Sequence, residues 1–416
     1  MIQALQEYLN SSNVIVRTMH ILIIPSWYPS RKGDVSGIFF RDQAIALQKA
    51  GCKVGVLTLQ QRSLVDLKSI LTGRYDASYE LDSGVHTYSQ HTMKWFPGFP
   101  SLHALMWRVL GLRLFSKYVK EQGWPDLIHV HSMVNSGIIA NAIREKFDIP
   151  YVVTEHSTDF ARGKVTGKKR LIMKKIAKGA SLRFAVSSPF GRLLTIFFGS
   201  EASEWKTVPN AVNEKFFQVS DSVFNEDGFI FLNICLLTEK KGVDLLLRAF
   251  SKAFKDLPDV KLRIGGDGPQ REFLEQLAQD LNISDQVTFL GMLSRDHVYD
   301  EMGAADAFVL SSVFETFGVV VAESLARGKP VISTCSGGPE DIVQEDDGIL
   351  VPVNDIESLA SAIFRLYEQY GIYDADKIRV SCYQRFSEQA VSRILMSHYH
   401  NVLEGGNNSS WLDSHK

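Results

Sequence analysis

The sequence predicts an α/β protein with two domains, each built on a doubly wound parallel sheet. Short apolar runs alternate with helical patterns along the whole chain, which is typical of helices packed on both faces of a parallel sheet. The chain has 416 residues, and a single hydrophobic core stops growing at roughly 250–300 residues. We therefore expect two domains, each with its own core.

The predicted strands and helices alternate in both halves of the chain. In the first half we predict strands at 21–24, 54–59, 127–130, 151–154 and 183–186, and helices at 39–49 and 135–147. The second half begins again with a strand at 229–235 and continues with strands at 260–264, 287–290, 307–310 and 330–333, separated by helices at 243–254, 270–281, 296–302 and 318–327.

The polar, turn-rich segment 209–228 separates the halves. We expect residues 19–212 to form the first domain and residues 213–388 the second. The first convincing strand begins at Met19, so residues 1–18 are an extension that is loosely attached, packs as a short helix or precedes the true start of translation. Small and polar residues fill 404–416, which we expect to be a flexible tail.

Composition and charge argue against several classes of protein. The formal net charge of −2 creates no field that would attract nucleic acid. The four cysteines lack CxxC spacing, so we expect neither structural zinc nor a disulfide framework, but a reducing cytoplasmic setting. No run reaches the roughly 18 consecutive apolar residues of a membrane-spanning helix, and the first residues lack the pattern of a secretory signal.

The most informative segment surrounds Glu315 and Glu323. Glu315 lies shortly after the predicted strand 307–310, and Gly318 opens the predicted helix 318–327. The unpaired N–H groups and the dipole at a helix N-terminus favour an anion. One carboxylate can accept hydrogen bonds from hydroxyls beside that anion, and the other from hydroxyls further along the ligand. A ligand with phosphate between two sets of hydroxyls is a nucleotide-sugar.

This segment, with its Glu-x7-Glu spacing, resembles the donor-site motif of family 4 retaining glycosyltransferases. Gly328-Lys-Pro330 and Gly337-Gly338 follow in the order that the family shows. The resemblance spans residues 19 to about 403 and implies the GT-B fold, in which two Rossmann-like domains face a common cleft. It also implies that the first domain binds the acceptor, that the second binds the nucleotide-sugar, and that a last helix, at 389–403, returns to the first domain.

The resemblance assigns roles to individual residues. Glu315 would face the transferred sugar, Glu323 the nucleotide ribose, and Lys241 the diphosphate, while His156, after the predicted strand 151–154, would contact the sugar near the reacting oxygen. Glu315, His156 and Lys241 are therefore the predicted catalytic residues. The other donor-binding residues that it implies are Gly37, Gly266, Met292, Leu293, Phe317, Gly318 and Val319. We interpret His129 as a core histidine satisfied by the backbone, and Asn210 as a residue of the interdomain hinge.

Leu236 departs from the family pattern. Relatives usually carry an arginine five residues before the lysine, where this chain has Leu236. Loss of one charge-assisted contact, worth roughly 1.5–3 kcal/mol, weakens binding about 10- to 100-fold. Lys240 and Thr238 are the candidates to replace the missing cation. Leu236 is also the reason to weigh a catalytically silent sugar-nucleotide-binding subunit.

The resemblance implies retaining transfer of a sugar from a UDP- or GDP-sugar to an acceptor hydroxyl, in cell-surface polysaccharide or glycolipid biosynthesis. We expect no metal cofactor, since no Asp-x-Asp motif occurs at a fitting place and Asp346-Asp347 is interpreted as a turn. A nucleotide-sugar epimerase of similar fold remains an alternative. A nicotinamide-dependent dehydrogenase is disfavoured, because the glycine loop 265–269 lacks the GxGxxG spacing.

The first domain carries a basic and aromatic surface. The stretch 162–178 contains eight lysines and arginines and no acidic residue, and it follows the aromatic segment 95–100 and the amphipathic run 102–120. Such a surface suits anionic lipid. We therefore expect a lipid-linked or oligosaccharide acceptor and peripheral contact with the inner face of the plasma membrane. An ordinary solvated helix beside a packed one is the alternative.

Overall fold

The computed structural model describes residues 18–29, 37–62, 71, 75–93, 95–96, 98–219 and 228–405. These residues form two sheets flanked by helices, which confirms the predicted α/β class. The predicted extension up to residue 17 and the predicted tail from residue 406 lie outside the described residues. Residues 404 and 405 end the last helix.

The first sheet has eight strands in the order β3-β4-β2-β1-β5-β6-β7-β8. Its strands are β1 His20–Pro25, β2 Lys53–Arg62, β3 Ser78–Asp82, β4 Val85–Met93, β5 Leu127–His131, β6 Tyr151–Glu155, β7 Leu182–Ala185 and β8 Lys206–Thr207. The flanking helices are α1 Ile38–Lys49, α2 Pro100–Gln122, α3 Ser136–Phe147, α4 Gly167–Gly179 and α5 Ser188–Phe198. All strand pairs are parallel except β3 with β4.

The second sheet has six parallel strands in the order β11-β10-β9-β12-β13-β14. Its strands are β9 Phe229–Ile234, β10 Val260–Gly265, β11 Val287–Gly291, β12 Ala307–Leu310, β13 Val331–Thr334 and β14 Gly348–Val351. The helices are α6 Val243–Phe254, α7 Arg271–Asp280, α8 Arg295–Ala304, α9 Val319–Ala326, α10 Pro339–Ile342, α11 Ile356–Glu368, α12 Ala375–Phe386 and α13 Glu388–Gly405.

The strand order of each sheet reverses at one place. In the first sheet the chain runs outward on either side of the β1–β5 pair, and in the second on either side of the β9–β12 pair. Helices leave to opposite faces at such a point, which opens a crevice beyond the carboxyl ends of the two strands. The loops after β9 and β12 therefore border one crevice, and the loops after β1 and β5 border another.

The last helix packs against the first domain. Val391, Leu395 and Tyr399 of α13 are buried in the same core as Ile21 and Ile23 of β1. Parallel strands with both faces covered consist of nearly continuous apolar residues, as β1 does from Ile21 to Ile24. The structure thus places a helix close to the predicted range 389–403 on the first sheet.

Candidate active site

Two loops of the second sheet bring Glu315 and Lys241 together. Lys241 ends a 3-10 turn after β9, and Glu315 follows β12. The Lys241 Nζ lies 2.5 Å from Glu315 Oε1, and Ser312 Oγ donates a hydrogen bond of 2.7 Å to the same oxygen. The two charged side chains retain 16% and 13% of their exposure, so the pair is largely desolvated but still open to the crevice.

The backbone around Glu315 is held by a second loop. The Glu315 N–H donates to Ser336 O at 2.8 Å, and the Gly338 N–H donates to Glu315 O at 3.0 Å. A Cβ at Gly338 would lie 2.2 Å from Phe317 O, so no larger residue fits there without a shift. This close contact fixes the direction in which α9 begins.

The start of α9 presents backbone groups to the crevice. Gly318 caps the helix with φ of 90°, a left-handed conformation that glycine adopts without strain. The first N–H groups of a helix have no carbonyl partner within it, which suits an anion. The Phe317 side chain is buried. The contact with the donor that is predicted for Phe317 must therefore come from its main chain.

Glu323 is more buried than a surface ribose contact would require, with 1% of its area exposed. Its Oε1 lies 2.7 Å from Arg295 Nη1, and its Oε2 has no partner among the described residues. Burial raises the pKa of this carboxyl, whereas Arg295 lowers it. A buried acceptor without a partner is costly, so Oε2 is suited to receive a hydroxyl.

Three other predicted donor-binding residues lie together at the ends of β10 and β11. Gly266 has φ of 125°, and a Cβ there would lie 1.8 Å from Cys235 O, so this loop packs on the loop after β9. Met292 is exposed. The Leu293 side chain lies against Gly265, where an added Cβ would approach it to 2.6 Å. Leu236, where relatives carry the arginine, is 58% exposed.

His156 lies at the carboxyl end of β6, as predicted. Its ring is 4.9 Å from that of Phe40, and its Nε2 shares a hydrogen bond of 3.1 Å with His131 Nδ1. Burial lowers the pKa of His156 to about 3, with a further lowering from His129, while Asn210 opposes the shift. The ring is therefore neutral near pH 7 and can donate or accept one hydrogen bond, but supplies no positive charge.

His129 is a buried core histidine, but its predicted backbone partners are wrong. Its Nε2 hydrogen-bonds Thr154 Oγ1 at 2.7 Å, and its Nδ1 hydrogen-bonds the Tyr399 hydroxyl at 2.6 Å. Tyr399 belongs to α13, which is remote in sequence. The bond to Tyr399 could not be predicted from the sequence, because the sequence does not show where the last helix packs.

Glu155 is a positioning residue that the sequence reasoning missed. Its carboxylate is buried and accepts N–H bonds from Met133, His156 and Ser157 at 2.8–3.0 Å. Burial raises the pKa of Glu155, while the three N–H groups oppose that shift. Glu155 thereby ties the loop after β5 to the loop that carries His156. The only feature of the sequence that could have indicated this role is the position of Glu155 next to His156.

The two domains meet beside Glu315. Ser187 Oγ donates to Thr316 O at 2.7 Å, and the Ser188 N–H donates to Asp341 Oδ2 at 2.5 Å. Gly37 lies on the first-domain side, just before α1, with φ of 73°. A Cβ at Gly37 would lie 2.7 Å from Trp27 O. The structure thus brings Glu315, Lys241 and the start of α9 together, while His156 and Gly37 belong to the opposite domain.

Two further findings concern metals and membranes. Within the described ranges, no group of three or more His, Cys, Asp or Glu side chains is arranged to hold a metal ion. Asp346 and Asp347 lie in a turn, as predicted, and the Asp347 carboxylate pairs with Arg385 at 2.6 Å. Among the helices described, none combines the length and apolar character needed to cross a bilayer.

Comparison with known proteins places this architecture in a family. The model described as "Glycosyltransferase Family 4" matches residues 36–216, and the model described as "Glycosyl transferases group 1" matches residues 214–385.

Two curated relatives and one solved structure are similar over much of the chain. TuaC of Bacillus subtilis, named for a glycosyltransferase role in teichuronic acid biosynthesis, is 27% identical over 93% of this chain and 99% of its own. The N-acetyl-alpha-D-glucosaminyl L-malate synthase of Bacillus anthracis is 27% identical over 68% of this chain and 76% of its own. Anabaena Alr3699/HepE, solved with UDP and glucose, has a TM-score of 0.68 and 19% identity, over 92% of this chain and 100% of its own.

The structural likeness confirms the predicted GT-B fold. Together the two family models cover both sheets and the loops that carry Glu315 and Lys241. The chain belongs to the group 1, or family 4, glycosyltransferases.

Proposed function

We propose that this glycosyltransferase moves a sugar from a nucleoside diphosphate donor to an acceptor hydroxyl with retention of configuration. The observation that carries the proposal is the desolvated Lys241–Glu315 pair beside the start of α9. A cation and unpaired N–H groups at one place suit a departing diphosphate. The neighbouring carboxylate suits the hydroxyls of the sugar attached to it.

The proposed chemistry requires charge stabilisation rather than a protein nucleophile. The bond between the anomeric carbon and the diphosphate oxygen breaks, and the acceptor oxygen forms a new bond to that carbon on the same face. The acceptor proton passes to the departing phosphate oxygen. Lys241 and the N–H groups from Phe317 to Val319 stabilise the charge that gathers on the diphosphate. Glu315 orients the sugar, and neutral His156 hydrogen-bonds it near the attacking oxygen.

The donor is proposed to be a UDP- or GDP-sugar, and the reaction to need no metal. The structural neighbour solved with UDP and glucose supports this donor class. Thermal shift with UDP-, GDP- and ADP-sugars identifies the donor, because a bound ligand raises stability by mass action. Proton NMR of the product then reports the anomeric configuration, with and without EDTA. An inverted product contradicts retention, and loss of activity in EDTA contradicts metal independence.

A silent sugar-nucleotide-binding subunit is the second candidate, supported by the exposed Leu236 at the place of the usual cation. A wild-type protein that binds the donor but neither hydrolyses nor transfers the sugar over days would establish this candidate. An epimerase would convert the donor without any acceptor, and the same NMR experiment detects that product.

We also propose an acceptor of cell-surface polysaccharide or glycolipid synthesis and contact with an anionic membrane at its cytoplasmic face. An exposed apolar ridge, defined as Trp95, Phe99, Leu102, Leu105 and Val109, covers the segment just before α2 and the first turns of that helix. Exposed apolar patches mark interaction surfaces. TuaC, by its name, serves teichuronic acid synthesis, which supports a polymer acceptor.

The basic stretch beside this ridge is less cationic than the sequence suggests. Acids from other elements face three of its lysines: Asp159 with Lys169 at 3.6 Å, Glu201 with Lys174 at 3.2 Å, and Glu145 with Lys175 at 2.7 Å. The apolar ridge therefore has to supply much of the membrane affinity. Sedimentation with anionic vesicles at low salt tests this, and Leu105→Ser should reduce the bound fraction. Wild-type protein that stays in the supernatant contradicts membrane contact.

A further inference from the structure

A cavity of about 280 Å³ lies in the first domain, between the start of α2 and the basic helix α4. Most of its wall is apolar, from Phe96, Phe99, Pro100, Ile138, Ile172 and Met173. Its polar wall comes from Gln61, His103, Asn135 and Lys169. The His103 Nε2 shares a hydrogen bond of 3.1 Å with Asn135 Oδ1. The cavity thus combines a continuous apolar surface with a polar edge that includes a cation.

The cavity borders the loop that supports His156. Asn135 lies between the end of β5 and the start of α3, four residues after His131. His131 hydrogen-bonds His156, and Met133 of the same loop donates to Glu155. Gln61 lies at the carboxyl end of β2. A molecule in this cavity therefore sits at the sheet edge where the first-domain part of the proposed active site is built.

Lys169 is the charged group of the cavity. Its ammonium lies 3.6 Å from Asp159 Oδ2, and both side chains are about one-third exposed. A direct charge-assisted hydrogen bond is about 2.7–2.9 Å long, so this contact is loose and leaves the ammonium able to donate to another anion. Helix α4 also carries Lys168, Arg170 and Lys178, which form none of the ion pairs that face Lys169, Lys174 and Lys175, so the helix keeps some positive charge toward an anionic partner.

We infer that this cavity holds an amphiphilic acceptor, with an apolar chain against the aromatic wall and a phosphate at Lys169. The inference rests on the proposed function, since it names the acceptor class of the same site. The volume is slightly below the roughly 300–1,000 Å³ of a drug-sized pocket, so the cavity accommodates only the first part of a chain. Phe99 belongs both to the cavity wall and to the exposed apolar ridge, so the ridge can carry the remainder of the chain.

Alkyl phosphates of increasing length, used below the concentration at which they form micelles, test this assignment by calorimetry. Burial of each methylene should tighten binding about fourfold, until the cavity is full. Butyl phosphate should therefore bind more weakly than hexyl phosphate, and inorganic phosphate more weakly still. Equal affinities along the series would overturn the inference.

Two matched pairs of variants place the ligand. Lys169→Ala should weaken the binding of hexyl phosphate about 10- to 100-fold. Lys168→Ala, which changes the neighbouring exposed lysine, should leave that binding unchanged. Ile172→Trp should fill the cavity and abolish chain-length dependence, whereas Leu171→Trp, at an exposed position, should leave it unchanged. Equal loss within a pair contradicts the assignment. If Ile172→Trp does not fold, the lysine pair decides, because Lys168 and Lys169 lie at the surface.

The sugar-nucleotide thermal shift separates this inference from the proposed function. The sugar nucleotide should raise the melting temperature of Lys169→Ala as much as that of wild type, since the cavity lies in the domain opposite Lys241 and Glu315. Wild-type protein that binds the sugar nucleotide but shows no chain-dependent phosphate binding overturns the cavity assignment alone. Protein that binds hexyl phosphate but no sugar nucleotide contradicts the transferase, and with it the assignment of the cavity to an acceptor.

Discussion

At the residue scale, the proposed function depends on charged side chains that are largely desolvated but still accessible. Lys241 and Glu315 lie in direct contact, and Ser312 holds the carboxylate in place. We propose that a donor diphosphate at Lys241 competes with Glu315 for the ammonium. Its binding would release Glu315 toward the sugar hydroxyls and so couple the two contacts.

Replacement of Lys241 should affect the chemical step most. In Lys241→Ala we expect kcat to fall about 10²- to 10³-fold, as for loss of one stabilising group in a charge-developing transition state. Steady-state kinetics with the identified donor checks this. Lys252→Ala, which removes an exposed lysine paired with Glu357, is the control. A Lys241→Ala enzyme with wild-type kcat would contradict the assignment.

Substitutions of the two glutamates, Glu315 and Glu323, should affect different kinetic and binding constants. Glu323→Ala removes the buried carboxylate whose Oε2 is available to a hydroxyl, so nucleotide affinity should fall about tenfold or more. Glu315→Gln should mainly lower kcat, because its role is to orient the reacting sugar. Titration with the free nucleoside diphosphate measures the first effect. If neither substitution alters binding or turnover, the site is misplaced.

At the element scale, the sequence predicted most of the apolar strands and missed the polar strands β3 and β4. β1 and β9 are apolar enough to stand out, whereas β3 and much of β4 are polar and partly exposed. These two strands form a hairpin at the edge of the first sheet, where one face needs no apolar cover. β14 also went unpredicted, although it is apolar and as long as β12 and β13, which were predicted.

The site was predictable where local sequence determines it. Glu315, Gly318 and Lys241 follow strands or open a helix, and the resemblance of these local motifs to the family pattern assigned their roles. The Arg295–Glu323 pair, the Glu155 contacts and the His129–Tyr399 bond join segments far apart along the chain or bury an acid. Such contacts depend on how helices pack, which no local pattern records.

The close packing behind α9 gives a prediction for this element. Gly338→Ala places a Cβ 2.2 Å from Phe317 O, whereas Gly371→Ala meets no atom within 4 Å. Gly338→Ala should therefore displace the start of α9 and weaken donor binding, with a loss of stability of about 1–3 kcal/mol. Gly371→Ala should change neither. Thermal melts with and without donor measure both effects, and equal behaviour of the two variants would refute this explanation.

At the scale of the whole molecule, α13 links the end of the chain to the centre of the first sheet. Its Tyr399 reaches His129, whose ring lies 4.1 Å from that of His131, and His131 hydrogen-bonds His156. A continuous line of polar groups thus runs from the last helix to His156. Because His129 and His131 are fully buried, their protonation opposes folding.

Acid should destabilise the protein because it protonates the buried histidine His129. Burial lowers the pKa of His129 to about 3, against about 6.5 when unfolded. The unfolded state therefore binds the extra proton first, and the stability contributed by His129 is lost as pH falls below about 6.5. Between pH 7.5 and 5.5 the loss is about 1.4 kcal/mol.

Urea unfolding of wild type and His129→Gln at both pH values isolates this effect. Buried carboxyls with raised pKa values, such as Glu155 and Glu323, act in the opposite direction, so only the difference between variants is informative. Between pH 7.5 and 5.5, the free energy of unfolding of His129→Gln should fall by about 1.4 kcal/mol less than that of wild type. His400→Gln, at an exposed position, should show the same fall as wild type. Identical pH dependence in all three proteins would contradict a neutral buried His129.

The most direct test of the account is a crystal structure with the sugar nucleotide selected by thermal shift. We predict that the diphosphate lies between Lys241 Nζ and the first N–H groups of α9, with the sugar beside Glu315 and the ribose at Glu323. Density for the nucleotide elsewhere on the protein, with this crevice empty, would contradict the central claim.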